Sequence, residues 1–188
     1  MSIRTRNRAL AAGLVLVFAA LVLLATQASP ASRQTDPVER GRYLVSVMGC
    51  HDCHTPWKMS ENGPEPDMSR MLSGHPKEIA VTPAPKLEGT WGWAGGHSMT
   101  SFTGPWGVSY AANLTPDELT GLGIWTEDMF VRAIRTGKHW GQSRPIMPPM
   151  PWKVYRNLTD DDLHAVWTYL RTIPPVENRV PDYAPPGD

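Results

Sequence analysis

The sequence predicts a fold of a few short helices joined by long irregular loops. Three observations carry this reading. Strong helix-start signals stand at Asp36, Thr126 and Thr159; from Thr55 to about Gly123 neither helical nor alternating apolar periodicity is sustained; and the only two cysteines lie in Cys50-His51-Asp52-Cys53-His54. An irregular segment of that length counts against a compact domain unless something else supplies the core. The pentapeptide points to what does. Cys-x-x-Cys-His is the attachment signature of haem c: two thiols three residues apart on one helical turn reach the two vinyl groups of one porphyrin, and the next histidine reaches its iron. Cys50 and Cys53 are the expected thioether positions, His54 the expected iron ligand, and one covalently attached haem c the expected cofactor.

Two other chemistries use paired cysteines. A structural zinc site needs four Cys or His ligands in paired clusters, and the sequence has no second cysteine pair. A thioredoxin-like redox pair needs a surrounding βαβ pattern, which the flanks lack. With haem c in place, the porphyrin supplies an apolar core that irregular chain wraps. Trp91, Trp93, Phe102, Trp106 and Tyr110 are then candidates for the wall around it, or for cover over the rest of a small core.

The 188 residues suit a targeting segment plus one domain. Residues 1–31 read as a signal peptide or an N-terminal membrane anchor: Arg4, Arg6 and Arg8 precede an apolar and small-residue run over residues 9–25, with small residues suited to cleavage after Ala28 or Ala31. That run of 17 residues lies between a signal core and a membrane span. Either way the chain beyond it is exported, which makes the expected location periplasmic, soluble or tethered to the inner membrane. Formal charge balances at 18 basic and 18 acidic residues; without the three leader arginines it is 15 against 18, or −3. Nucleic acid is therefore not an expected partner. The domain is expected over residues 32–181, followed by a tail at 182–188.

In chain order, Asp36-Pro37-Val38-Glu39 combines a capping aspartate, proline at the first helical position and an acid three residues after the cap. The helix that follows should bury Val38, Leu44, Val47 and Met48 and deliver Cys50 to the haem. Thr115-Pro116-Asp117-Glu118 predicts a short helical turn, cut off by Gly121 and Gly123. Thr126 caps a helix over about Glu127 to Thr136, with Trp125 and Phe130 as a hydrophobic staple and Gly137 as terminator. Lys138 to Tyr155 is again irregular, with Pro145, Pro148, Pro149 and Pro151 bracketing Met147 and Met150. A thioether on a loop stiffened by proline suits a metal ligand, although methionines more often fill gaps in cores. The last helix has Thr159 as cap, three acids in its first turn and apolar residues Leu163, Val166, Trp167 and Leu170, and should end near Ile173. The stretch from Val176 onward looks extended and lies over the surface.

Taken together these features resemble a class I cytochrome c domain. More narrowly, Gly104-Pro105-Trp106-Gly107, Asn113-Leu114-Thr115-Pro116-Asp117, Gly123-Ile124-Trp125-Thr126, Pro148-Pro149-Met150-Pro151 and the run from Leu158 to Val176 look like the cytochrome c subunits of membrane-associated bacterial dehydrogenases, over roughly residues 38 to 181. The resemblance implies a small all-α class I cytochrome c fold, its long irregular loops wrapped around one covalently bound haem, with iron held between His54 and a methionine, best matched by Met150, with Met147 as the runner-up. It points to the Pro64 region for the backbone carbonyl that accepts the imidazole N–H. Members of that family often carry several attachment motifs, whereas this chain has one. The implied function is electron transfer rather than catalysis, from a dehydrogenase as donor towards an oxidase or another cytochrome. A gas sensor or peroxide-handling haem protein is the alternative if the distal position is open. His51, His75, His97, His139 and His164 read as surface or hydrogen-bonded residues, and Lys58, Arg144 and Lys153 as candidates for the rim of a docking surface.

Overall fold

The computed structural model describes residues 36–79 and 83–186; the leader lies outside them. Helix α1 runs Pro37–Val47, with Asp36 accepting from the Val38 N–H at 3.1 Å. A left-handed Gly49 separates it from α2, Cys50–His54. Helix α3 occupies Glu127–Thr136, with Thr126 accepting from the Met129 N–H and Gly137 closing it in the left-handed conformation. Helix α4 is a short turn at Trp152–Tyr155, and α5 runs Asp160–Leu170 behind its Thr159 cap. The local signals thus place α1, α3 and α5 where they form, although α5 stops at Leu170 rather than Ile173. Asp117, not Thr115, organises the turn before α3: its carboxylate accepts from the N–H groups of Leu119 and Thr120, and no helix forms there.

The all-α expectation needs correction. The loop after α2 contains two small antiparallel sheets. Strands β1, Trp57–Ser60, and β2, Gly63–Pro66, form one hairpin; β3, Ala94–Gly95, β4, Ser101–Gly104, and β5, Gly107–Tyr110, form a three-stranded sheet in that order. β4 and β5 are joined by only Pro105 and Trp106, with Ser101 opposite Tyr110 and Gly104 opposite Gly107. Burial alternates along β5 but not along β1, β2 or β4, and Pro64 and Pro66 lie within β2, so periodicity and propensity give little sign of most of these short strands.

The apolar core forms where α1 and α5 pack against each other, around Leu44, Val45, Leu163, Val166, Trp167 and Leu170, with Phe130 of α3 and Leu72 and Leu122 from the loops. Val45 takes the place expected of Val47, which is 58% exposed. Gly41 lets the two helices approach: a Cβ there would lie 2.0 Å from the Ala165 carbonyl oxygen and 2.7 Å from the Tyr169 Cβ. Arg40 reaches across to Asp162 at 2.9 Å, and Arg135 of α3 donates to the Leu158 carbonyl at 2.7 Å and pairs with Asp160. Trp91 and Trp93 are 73% and 47% exposed, Phe102 is buried, and the Trp93 ring meets Phe102 edge-on at 5.9 Å.

The chain after α5 is extended, as expected, but it is more than surface cover. Asn178 is fully buried, and Ala184 pairs with Val108 of β5 through reciprocal N–H···O bonds of 2.8 and 3.0 Å. Among the described residues no helix is long and apolar enough to cross a membrane.

His75 is also fully buried. Its Nε2 donates to the Ile79 carbonyl at 3.0 Å and its Nδ1 accepts from the Thr100 hydroxyl at 2.9 Å, while Ser98 bonds the same hydroxyl. Burial holds its pKa below the ordinary value, against the opposing pull of the Ile79 carbonyl.

Two outcomes follow for stability. Gly41→Ala should destabilise the fold by about 1–3 kcal/mol through overpacking at the α1–α5 crossing, read as a lowered denaturant midpoint at unchanged slope. The folded state binds fewer protons at His75 than the unfolded chain does, so its contribution is full above about pH 6.5 and is lost as pH falls below that value. His75→Gln should flatten the dependence of the denaturant midpoint on pH below about 6.5 relative to the unmodified protein.

Candidate functional site

The site is built on α2, a single helical turn that α1 delivers and Gly49 redirects. Cys50 and Cys53 are both free and half-buried on this turn. Burial, reinforced by the Asp52 carboxylate, pushes the Cys50 thiol up to about 11 and raises that of Cys53. A reactive redox pair needs surroundings that stabilise the thiolate, whereas burial here favours the neutral thiols. Among the described residues, no group of three or more His, Cys, Asp or Glu side chains is arranged to hold a metal ion. The pair is consistent with a Cys-x-x-Cys-His haem c attachment site.

His54 is buried, and burial lowers its pKa. Its Nδ1 lies 2.8 Å from the Ala112 carbonyl oxygen. A carbonyl only accepts, so Nδ1 carries the proton and Nε2 keeps its lone pair, the tautomer a metal-ligating histidine requires. The residues present therefore fit a porphyrin held at two thiols with a histidine ligand beside them. The acceptor is Ala112 rather than a carbonyl in the Pro64 region; Pro64 sits in β2, opposite Met59.

Ala112 is held by its neighbours. On either side of it the chain bonds to the turn at residues 72–75, where the His75 N–H donates to the Ala111 carbonyl and the Leu114 N–H donates to the Leu72 carbonyl, both at 2.9 Å. The Gly74 N–H donates to the His54 carbonyl at 2.8 Å, so the same turn touches both ends of the histidine–acceptor pair. Gly74 has φ +78°, and a Cβ there would stand 2.5 Å from the Ala111 oxygen and 2.7 Å from the Ala112 oxygen. Only glycine meets both demands. Thr55, directly after His54, accepts from the Leu72 N–H at 2.9 Å and bonds the His51 ring at the same distance.

The helix that follows the methionine loop reaches the residue before Gly49. Tyr155 of α4 donates to the carbonyl of Met48, just before Gly49, at 2.6 Å. Burial pushes its hydroxyl pKa up to about 12, with further contributions from Cys50, Cys53 and Asp52. Met150 is half-buried, and its carbonyl accepts from the Trp152 N–H at the start of α4. Met147 is also half-buried, and the adjoining Pro148 carbonyl accepts from Ser109 of β5 at 2.6 Å. Of the candidate docking residues, Lys58 is paired with Asp67 at 3.1 Å and Lys153 sits over the Trp152 ring, while Arg144 is exposed and gives its carbonyl to the His139 N–H. His164 bonds Glu127 at 2.8 Å. The sequence carries no sign of Ala112, which acts through its backbone, or of Gly74 and Asn178, whose roles depend on contacts distant in sequence.

No family model matches the chain. It is 29% identical over 153 residues to the fructose dehydrogenase cytochrome subunit of Gluconobacter japonicus, covering 81% of this chain and 24% of that protein. It is 28% identical over 152 residues to the cytochrome c subunit of the quinone-type alcohol dehydrogenase of Gluconobacter oxydans, covering 79% of this chain and 24% of that protein. It is 29% identical over 133 residues to the gluconate 2-dehydrogenase cytochrome c subunit of Pantoea cypripedii, covering 71% of this chain and 22% of that protein. The chain thus spans a quarter or less of the length of these curated relatives. With Cys50, Cys53 and His54 on a single turn consistent with haem c attachment, the chain is a distant homologue of the cytochrome c subunits of bacterial dehydrogenases.

Proposed function

We propose that this protein is an exported single-haem electron carrier, and that the observation carrying this reading is the His54 ring tied through Nδ1 to the Ala112 carbonyl beside two neutral thiols. Cys50 and Cys53 would hold haem c as thioethers, and His54 would ligate its iron through Nε2. When bound, the haem supplies gain and loss of one electron at iron. Met150 is the proposed second ligand: it lies on a loop stiffened by Pro148, Pro149 and Pro151, and Tyr155 links the helix after it to the residue preceding Gly49. A methionine opposite a histidine raises the reduction potential relative to many other ligand pairs, and two protein ligands leave no open position for substrate.

The chain's own residues then bury the haem, set the basicity of His54 and exclude small ligands. The likeness to cytochrome subunits of dehydrogenases supports a dehydrogenase as electron donor, with an oxidase or another cytochrome as acceptor. The leader's arginines and apolar run support a periplasmic location, with the protein either free or tethered by residues 9–25.

The test is the visible spectrum of the matured protein, oxidised and reduced, with and without carbon monoxide. A low-spin spectrum unmoved by the gas is expected. In Met150→Ala the reduction potential should fall and carbon monoxide should bind, while Met147→Ala should change neither. The opposite pattern would transfer the distal role to Met147, and gas binding by the unmodified protein would favour the sensor or peroxide-handling reading.

A second outcome concerns the acceptor. Gly74→Ala should push the Ala112 carbonyl away from the His54 ring, weakening the bond that makes the imidazole more basic. The potential should therefore rise, and stability should fall by about 1–3 kcal/mol from the combined clash and positive φ. Redox titration together with a denaturant melt checks both.

A further inference from the structure

We propose that Asn178 is a positioning residue for the histidine ligand: its carboxamide holds the turn at residues 72–77 in the register at which the Ala112 carbonyl meets the His54 ring. The inference rests on the haem c reading above and extends it to a residue far beyond the acceptor in sequence.

Asn178 is 0% exposed, and a polar side chain so placed is retained where its hydrogen bonds are made. All of them go to one turn. Nδ2 donates to the Ser73 carbonyl at 2.7 Å and to the His75 carbonyl at 2.8 Å, while Oδ1 accepts from the Lys77 N–H at 2.9 Å. Only a carboxamide offers two donors and an acceptor in this arrangement; aspartate would set an acceptor against two carbonyls, and leucine would leave both carbonyls and the N–H unpaired.

The backbone of Asn178 is fixed in turn. Its N–H donates to the Thr120 hydroxyl at 2.9 Å, and two residues earlier the Val176 N–H donates to the Thr115 hydroxyl at 3.1 Å. The strap is thereby anchored to the segment after Ala112, and its side chain clamps the turn that bonds Ala111, Leu114 and the His54 carbonyl.

Loss of the clamp frees the turn to shift, and the Ala112 carbonyl shifts with it. A longer Nδ1–H···O bond makes the imidazole a weaker donor to iron and leaves its proton more open to solvent. The fold itself has another source of stability, the α1–α5 core, so the two effects separate.

The experiment uses the full matured protein and the variants Asn178→Leu and Asn178→Ser, the second retaining one hydroxyl in case the first does not fold. Exchange of the His54 Nδ1 proton is followed by NMR in the reduced state, with the Val166 amide of α5 as reference for global opening. The reduction potential is measured on the same samples. The expected result is at least a tenfold rise in Nδ1 proton exchange relative to Val166, with a positive shift in potential and a retained low-spin spectrum. If both exchange rates rise together and the potential stays put, Asn178 is merely structural and the proposal is overturned. If the unmodified protein shows no histidine-ligated haem, the carrier reading fails first and this inference falls with it.

Discussion

A histidine buried in a protein can serve a metal only if one ring nitrogen is satisfied and the other left free, and the bond from His54 Nδ1 to the Ala112 carbonyl meets that condition. The two residues are 58 positions apart, so no local geometry secures the contact. The turn at residues 72–75 does, by bonding to the backbone on both sides of Ala112 and to the carbonyl of His54. Gly74 is the point of closest approach, where a side chain would meet the acceptor itself. The strands and turns between α2 and α3 therefore serve as more than connection: they carry an acceptor to a ring that α2 cannot satisfy alone.

The helices perform a different task. The α1–α5 pair buries most of the apolar side chains and sets the direction in which α2 leaves Gly49. The ion pair of Arg40 with Asp162 crosses this interface with Arg40 largely in solvent, and contributes on the order of 0–1 kcal/mol. Removal of a buried leucine such as Leu163 costs about 2–5 kcal/mol by comparison. Apolar packing, rather than charge, thus dominates the stability of the helix pair from which the Cys50–His54 turn departs.

This division explains what is legible in the sequence. Caps act within four residues, so Asp36, Thr126 and Thr159 announce their helices, and the thiol–thiol–histidine spacing suits the single turn that Cys50–His54 forms. The strands stay hidden because their stabilisation comes from partners: β2 contains two prolines, and β5 pairs with a residue of the C-terminal tail. Val45 displaces Val47 from the core because the real helix face follows the crossing with α5, which apolar spacing alone does not fix. Ala112 is invisible for a simpler reason: its contribution is a carbonyl oxygen, which every residue has.

With haem c attached as proposed, the thioethers at Cys50 and Cys53 keep the cofactor on the chain whether or not the rest is folded, because covalent bonds do not depend on packing. The fold is then free of the task of retention and can act on tuning. That fits a structure in which polar side chains are buried at some cost to hold backbone positions: Asn178, Thr115 and His75 are each fully enclosed, and they bond the His75 carbonyl, the Val176 N–H and the Ile79 carbonyl respectively. A domain needing only to hold its cofactor could fill those positions with leucine or valine. Buried polar groups specify geometry more sharply than apolar ones, since they tolerate few arrangements, and geometry at the histidine's acceptor is what sets how strongly it donates to iron.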